Sequence, residues 1–435
     1  MEIPVNQQVI LNDGTTATVQ KELGSGAQGI VYLVNTPQGK QYALKCYHPE
    51  EMEDSFFNNL IRDIIPTSPP SDAFLWPKAV AKYNGKNCGY VMDLAPKGFY
   101  ELSDYFVGTR CPEAEFPSFS VRLQAALFIC NAYMHLHRDG LCYQDINAGA
   151  FLIRPSDGEV MICDNDNVCA NGTSITGVKG FPRYRALEVM QGNNPDKYSD
   201  RISMAIILYR LFMQDHPFEG IRGRKYPCMS EKYEKKYYGT EAVFVFDPLN
   251  NTNRPDPMIT KNHLKFWAIC PPKLQETFQR AFSHEAITNP QSRISDKEWK
   301  EVLLDIRREM LVYYGADKQD YDYYYDTEII NRSGLVIPKQ AVLKFDNGTS
   351  YTICRHKRLY IADEMEPVAN GVLYKNPTTG TGEFGLRNMG NTPWTLTTKS
   401  GKLLSINSGN DMPLREGMHI RFSQNVSAEV IAVKG

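Results

Sequence analysis

YQDINAGAFLIRPSDGEVMICDND, residues Tyr143 to Asp166, is the stretch on which the reading of this chain turns. It places an aspartate, Asp145, in a polar turn, passes through short apolar segments in FLIRP and VMICDND, and ends on Asp164-Asn165-Asp166. The apolar segments read as a strand pair, and Asp145 and Asp164 lie nineteen positions apart. Upstream, Val121 to His137 (VRLQAALFICNAYMHLH) is an almost continuous apolar helix, which predicts burial. Downstream, Ser203 to Met213 (SMAIILYRLFM) is a second one.

Two carboxylates set apart in this way can divide the work of phosphoryl transfer: one orients a hydroxyl nucleophile, the other holds Mg²⁺ on phosphates. Gly24 to Val31 reads GSGAQGIV between strand patterns, and Gly24, Gly26 and Gly29 leave backbone N–H groups open to phosphate oxygens. Alone, such a hairpin is equally an ordinary turn. Sixteen positions past Gly29, Lys45 ends the strand segment Ala43-Leu44-Lys45. A strand lysine pointing inward is costly without an anionic partner, and beneath a glycine loop that partner is the α/β-phosphate pair of a nucleotide. Pointing outward, it is a solvated lysine and nothing more. Arg185-Ala186-Leu187-Glu188 then precedes Ser199-Asp200, which opens the second apolar helix. Each signal is modest alone; their order and spacing are not.

The first fifty residues read as antiparallel strands, VNQQVIL, TATVQKEL, IVYLV and QYALKCY, broken by NDG, GSGAQG and TPQGK. From Glu50 to Ile65 the apolar stripe Phe56, Phe57, Leu60, Ile61, Ile64, Ile65 predicts a helix that Pro66 stops. Strands first and helices later make an α+β arrangement with two lobes. A charged-faced helix over Trp299 to Tyr314 precedes the acidic, tyrosine-rich YGADKQDYDYYYDTE, which reads as a linker or docking strip. After Ser333 short strands and turn signals predict a small all-β sandwich. The expected boundaries are 1–312 (lobes meeting near 95), a linker over 313–333, and the sandwich over 334–435.

The 435 residues predict two or three domains. At 42% hydrophobic and 23% charged, with a net charge of −2, the chain is an ordinary globular one without the basic excess of a nucleic-acid or membrane-surface binder. No apolar run approaches the roughly 20 residues that span a bilayer, and the N-terminal residues lack the pattern of a secretory signal. Ten cysteines without a CxxC pair read as buried free thiols of a reducing cytoplasm. His135 and His137 read as the end of a buried helix, not as metal ligands.

Residues from about Gly24 to Arg293 resemble a eukaryotic-type protein kinase domain, with the glycine loop, strand lysine, catalytic loop, metal motif and APE-like segment in order. Stretches such as ICDNDNV, FVFDP and FLWP are similar to bacterial kinases of the tellurite-resistance-associated type. The resemblance implies a two-lobed kinase-like fold and the cofactors ATP and Mg²⁺, with Mn²⁺ as the alternative ion. It implies that the loop residues Gly24, Ser25, Gly26, Ala27 and Gly29 cover the phosphates and that Lys45 grips them. Asp145 would take the acceptor's proton and Asp164 would bind the metal. Val31, Ala43 and Leu152 would sandwich the adenine, with Met92 as gatekeeper and Asp93 and Ala95 pairing with the base through their backbones. Glu188 would pair with Arg293, and Asp200 would anchor the catalytic loop.

Several positions depart from that pattern. Ala150 stands where an asparagine usually supplies a second metal ligand, leaving Asn147, Asp166 or water to substitute. Asn147 also replaces a lysine, Asn165 replaces the aromatic of the metal motif, and Gln144 replaces the arginine that pairs with activation-loop phosphate. The acid that should pair with Lys45 is either missing, with Asn58 in its place, or is Glu53. Three functions follow as expectations: a Ser/Thr protein kinase, a nucleotide-binding scaffold without useful transfer, or a kinase-fold enzyme with a non-protein acceptor. The protein substrate is not legible.

The C-terminal residues resemble a forkhead-associated domain in TICR (Thr352–Arg355), LRNMGNTPWT (Leu386–Thr395) and PLREGMHIRFS (Pro413–Ser423). The Ser-x-x-His of that family's phosphothreonine pocket falls at Ala369 to Val372, which carry neither hydroxyl nor imidazole. Arg355, His356, Lys357 and Arg358 read as a positive surface patch able to meet the acidic linker, so the domain is expected to dock or pack rather than to read phosphothreonine.

Overall fold

Strands β1 (Gln8–Leu11), β2 (Thr16–Ser25), β3 (Gly29–Asn35) and β4 (Gln41–Tyr47) follow one another antiparallel. They come from a computed structural model that describes residues 2–26, 28–48, 54–106, 117–174, 180–226, 230–314, 321–324, 338–361, 365–376 and 379–434, and of 312–314 and 321–324 the backbone alone. After helix α1 (Asp54–Asn59), β5 (Ala79–Tyr83) and β6 (Lys86–Met92) close the strands into a barrel, in the order β1-β2-β3-β4-β6-β5. Alternation puts Val9, Val19, Tyr32, Val34, Leu44 and Val91 inside it. α1 runs on into a π-turn over Leu60–Ile64, burying Phe56, Phe57, Leu60 and Ile64. The expected helix start at Glu50 lies outside the described residues, as do Ala27, Glu53 and Thr176.

Strand β7 (Tyr100–Glu101) precedes helix α2 (Phe119–Arg138). The deciding stretch then folds as two small antiparallel units. Strand β9 (Phe151–Ile153) pairs with β10 (Val160–Ile162) on one side and β7 on the other, while β8 (Leu141–Tyr143) pairs with β11 (Val168–Ala170). Helices α3 (Leu187–Met190), α4 (Lys197–Met213), α5 (Glu231–Glu234), α6 (Lys261–Trp267), α7 (Pro272–Ala281), α8 (His284–Thr288) and α9 (Asp296–Glu309) follow. α4 starts at Lys197, before its apolar run, because Asp196 builds a capping box: its Oδ1 accepts Ser199 N at 2.8 Å, and Ser199 Oγ accepts Asp196 N at 2.8 Å.

α9 ends at Glu309, short of the expected Tyr314. Leu311–Tyr314 is instead strand β12, paired antiparallel with β13 (Tyr321–Tyr324), so part of the expected linker is a hairpin. β14 (Gln340–Phe345), β15 (Ser350–Cys354), β16 (Arg358–Leu359), β17 (Ala369–Lys375), β18 (Gly382–Asn388), β19 (Trp394–Thr397), β20 (Leu403–Ile406), β21 (Asp411–Pro413), β22 (His419–Ser423) and β23 (Val426–Lys434) follow. They form a six-stranded sheet, β15-β14-β23-β22-β19-β20, and a four-stranded one, β16-β17-β18-β21. Both sheets contribute to a single core, with Trp394 edge-on to Phe422 at 5.0 Å and Leu343, Leu386, Leu396, Met412 and Ile420 fully covered. The fold is thus α+β, kinase-like and two-lobed, with a small all-β domain after it.

The chain divides into two compact units: 1–116, 128–263 and 278–297, and 117–127, 264–277 and 298–435. Within the second, Lys357 corrects the sequence reading. It is 1% exposed, not part of a surface patch, and its Nζ donates to Arg308 O at 2.9 Å and Met310 O at 2.6 Å. A strand-to-strand turn in which His356 takes φ +66° carries it inward, where it satisfies carbonyls at the end of α9 that the helix itself leaves open. Arg355, by contrast, is exposed.

Candidate active site

The register of the barrel builds the first wall of the site. Gly24 faces Val31 and Ser25 faces Ile30 across the β2–β3 turn, and Gly26 N donates to Gly29 O at 2.9 Å. A Cβ on Gly24 or Gly26 would meet nothing within 4 Å, so the loop backbone is open on that side. Gly29 serves another purpose: a Cβ there would lie 2.1 Å from Cys46 O. Val31 is half-buried opposite Lys45, and Ala43 is buried opposite Met92, the last residue of β6. Beyond it Asp93 is exposed and paired with Lys78 at 2.9 Å, while Ala95 and Leu152 are half-buried.

Lys45 is 5% exposed and points inward, the costly orientation. Its ammonium meets Asp164 Oδ1 at 2.9 Å, Asp166 Oδ1 and Oδ2 at 3.2 and 3.3 Å, and Gln28 Oε1 at 3.3 Å. Burial opposes its charge, but the carboxylates of Asp166 and Asp164 outweigh that and raise its pKa. Of the two expected helix partners, Asn58 is exposed and is not among these contacts, and Glu53 lies outside the described residues.

Asp164 sits in left-handed backbone, φ +60° and ψ +35°, which costs a non-glycine residue about 1–3 kcal/mol and marks functional sites. The surrounding segment enforces it. Asn165, fully buried, donates its Nδ2 to Leu75 O at 2.9 Å and Ile162 O at 2.8 Å, and Leu75 N donates back to Ile162 O at 2.8 Å. An amide cross-link thus stands where the resemblance expects a packed aromatic ring.

Asp145 follows Tyr143 and Gln144 out of β8. Its pKa is raised, by burial first and then by the charge of Asp164; hydrogen bonds from the Asn147 side chain and Phe181 N–H pull the other way. Its Oδ1 is buried and has no hydrogen-bond partner among the described residues. Asn147 is already committed: its Oδ1 accepts Gly149 N at 2.9 Å and its Nδ2 donates to Asp145 O at 3.1 Å. Ala150 is fully buried. The open substitutes for the second metal ligand therefore narrow, because Asn147 caps its own turn and the Asp166 side chain, at 0% exposure, is spent on Lys45. Asp164, with its side chain 35% exposed, keeps an oxygen available.

Two supports lie behind the loop. Asp200 Oδ2 accepts Tyr143 N at 2.7 Å, and Arg293 grips Glu188 with bonds of 2.6 and 2.8 Å. The Arg293 side chain is only 2% exposed, and removing one partner of such a pair costs about 3–5 kcal/mol.

Residues 17–301, more than half of the chain, match the model of the protein kinase domain. The chain belongs to that family. Within it, the kinase domain is similar to Protein kinase YegI of Escherichia coli (strain K12), 23% identical over 326 residues, which cover 70% of this chain and 47% of that protein. It is also similar to Serine/threonine-protein kinase AtPK1/AtPK6 of Arabidopsis thaliana, 27% identical over 212 residues, covering 47% of this chain and 43% of that one. The chain thus spans under half the length of these two relatives. Among solved structures, that of vaccinia related kinase 3 superposes with a TM-score of 0.50 at 15% identity, covering 71% of this chain and 93% of the other, a likeness of fold.

Proposed function

We propose that this protein is an ATP-dependent serine/threonine protein kinase. The observation that carries the proposal is the convergence of Lys45 from β4, Asp164 from the metal motif and Asp145 from the catalytic loop, with Lys45 and Asp164 2.9 Å apart. The residues fit the nucleotide and ion that the family implies: an open glycine backbone, an inward lysine and a carboxylate with a free oxygen. Mg²⁺, or Mn²⁺, would be held by Asp164 and would neutralise charge on the phosphates. Lys45 would hold the α/β-phosphates, and Val31, Ala43, Met92 and Leu152 would enclose the adenine, with the backbones of Asp93 and Ala95 at its edge. Asp145 would orient the acceptor hydroxyl and take its proton on the unpartnered Oδ1.

The committed Asn147 and the buried Ala150 favour a second reading, a nucleotide-binding scaffold with little transfer. Labelled ATP, Mg²⁺ and a generic protein acceptor separate the two. Transfer by the wild type that falls about 10²–10⁴-fold in Asp145→Ala supports the kinase; equal, negligible labelling by both supports the scaffold. In either case Asp164→Asn should lose nucleotide affinity and its response to Mg²⁺.

The proposed setting is the reducing cytoplasm, which suits eight free cysteines among the described residues, seven of them buried. No helix among the described residues is long and apolar enough to cross a membrane. The β domain is proposed to dock a protein partner or pack internally. Ala369 and Val372 lie on strand β17, with no hydroxyl or imidazole to offer a phosphothreonine.

A further inference from the structure

Three side chains of the barrel converge on one acid of the metal motif. Lys45 and Tyr47 lie two residues apart on β4, on the same face, and Tyr90 faces Lys45 across the β4–β6 pairing. Asp166 receives all three: Lys45 Nζ at 3.2 and 3.3 Å, Tyr90 OH on Oδ1 at 2.7 Å, and Tyr47 OH on Oδ2. Its side chain has no exposed surface, and desolvating a carboxylate costs several kcal/mol unless its lone pairs are met. Here they are met, by one ammonium and two hydroxyls. Helix α1 meets Tyr47 through two rings, Phe56 and Phe57 lying edge-on to it at 5.4 and 6.0 Å.

We infer that Asp166 is the positioning residue of Lys45, orienting it from within the metal motif in place of a helix-borne acid. The lysine's orientation then depends on the barrel and the motif, both rigidly paired, and not on where helix α1 stands. Because Asp164 is two residues away and bonded to the same ammonium, one buried cluster sets both nucleotide-facing groups. The inference rests on the proposed nucleotide site.

Titration of the full chain with a fluorescent ATP analogue and Mg²⁺ tests it, in a cycle of Asp166→Asn and Lys45→Met, with thermal melting as the check on folding. Asp166→Asn should weaken binding about tenfold when Lys45 is present and less than about twofold in the Lys45→Met background, since a residue acting through the lysine has nothing to position without it. A disrupted fold would not show that coupling. Tyr90→Phe, which loosens Asp166 without removing it, should weaken binding in the same direction and with the same dependence on Lys45, and it carries the test if Asp166→Asn does not fold. Equal losses with and without Lys45 overturn the inference. So does normal binding by Asp166→Asn alongside a Glu53→Ala loss matching Lys45→Met. If Lys45→Met and Asp164→Asn both bind normally, the nucleotide site itself is misplaced and the inference falls with it.

Discussion

His137 Nε2 lies 3.1 Å from Asp200 Oδ2, the same carboxylate oxygen that takes the Tyr143 N–H just ahead of Asp145. The other ring nitrogen meets Asp296 Oδ2 at 2.7 Å. An imidazole between two acids therefore underpins the loop that carries Asp145. Burial alone would discharge it, but Asp200 and Asp296 raise its pKa to about 9, while Asp200, fully buried, is held up to about 6. Near neutrality the pair is ionic.

The first prediction follows from the sign of that shift. The folded state holds a proton on His137 that the unfolded state gives up above about pH 6.5. Its stabilisation is complete below that value and lost as pH rises through about 9, a swing of about 3 kcal/mol. Urea unfolding of wild type and His137→Gln, at intervals between about pH 6 and pH 9.5, should show their difference shrinking across this window. A constant difference would mean that the ring is neutral throughout.

Lys357 should move the opposite way. Burial lowers its pKa to about 7, so between there and the usual lysine range the unfolded state binds the proton that the folded state refuses, and stability rises with pH. The neutral amine still has two N–H groups for the Arg308 and Met310 carbonyls. The stability advantage of wild type over Lys357→Met should therefore grow with pH, where that over His137→Gln falls. Parallel trends would refute one of the two assignments.

The glycines divide into two kinds. A Cβ on Gly29 would meet Cys46 O at 2.1 Å and one on Gly89 would meet Lys45 O at 1.9 Å, whereas Gly24 and Gly26 face open space. Gly29→Ala and Gly89→Ala should each lower stability by several kcal/mol, in the range of severe packing changes. Gly24→Ala and Gly26→Ala should keep the wild-type melting temperature and weaken nucleotide binding instead. Melting curves with and without ATP·Mg²⁺ distinguish the pairs.

Transfer should not need a phosphate on the activation segment. Gln144 is buried, its Nε2 on Cys169 Sγ and its Oε1 accepting Ser174 Oγ at 3.1 Å. A neutral, occupied amide offers a phosphate no charge-assisted bond, and its oxygen would repel one. A variant with Thr173, Ser174 and Thr176 all changed to Ala should retain most of the wild-type rate; loss of most of it would sink the prediction.

The antiparallel strands of the first fifty residues, the two apolar helices and the strand and turns that carry Lys45, Asp145 and Asp164 were legible because each rests on local pattern: alternation, helical periodicity, or an acid set beside apolar strands. Closure into a barrel through β5 and β6 was not. Asp166 was not legible as the lysine's partner. Tyr47 and Tyr90 read only as strand aromatics until the β4–β6 register brings their hydroxyls to one carboxylate; the signal available was a second acid in a segment otherwise bound for burial. In the β domain, β17 and β18 carry Gly371 and Gly385 in their interiors, a residue type that weakens the local strand signal. Both are strand glycines, where a Cβ would lie 1.9 and 2.0 Å from the neighbouring strand's carbonyl oxygens. The extent of α9 was overread, since Leu311–Tyr314 is apolar enough for either element and only pairing with β13 decides it.

The seat of Lys357 bears on how such a protein can be assembled in evolution. Its acceptors belong to the end of α9, Arg307 stacks on Tyr360 at 4.1 Å, and Gln124 of α2 donates to Met365 O at 2.9 Å. A recombination event between residues 312 and 334, where the sequence looks most like a seam, would carry off a buried amine and leave its acceptors behind. The β domain is therefore poorly suited to travel as a free cassette. The inheritable module includes the kinase helices that cap it, and gene fusions that preserve the fold should not break between those helices and the β domain.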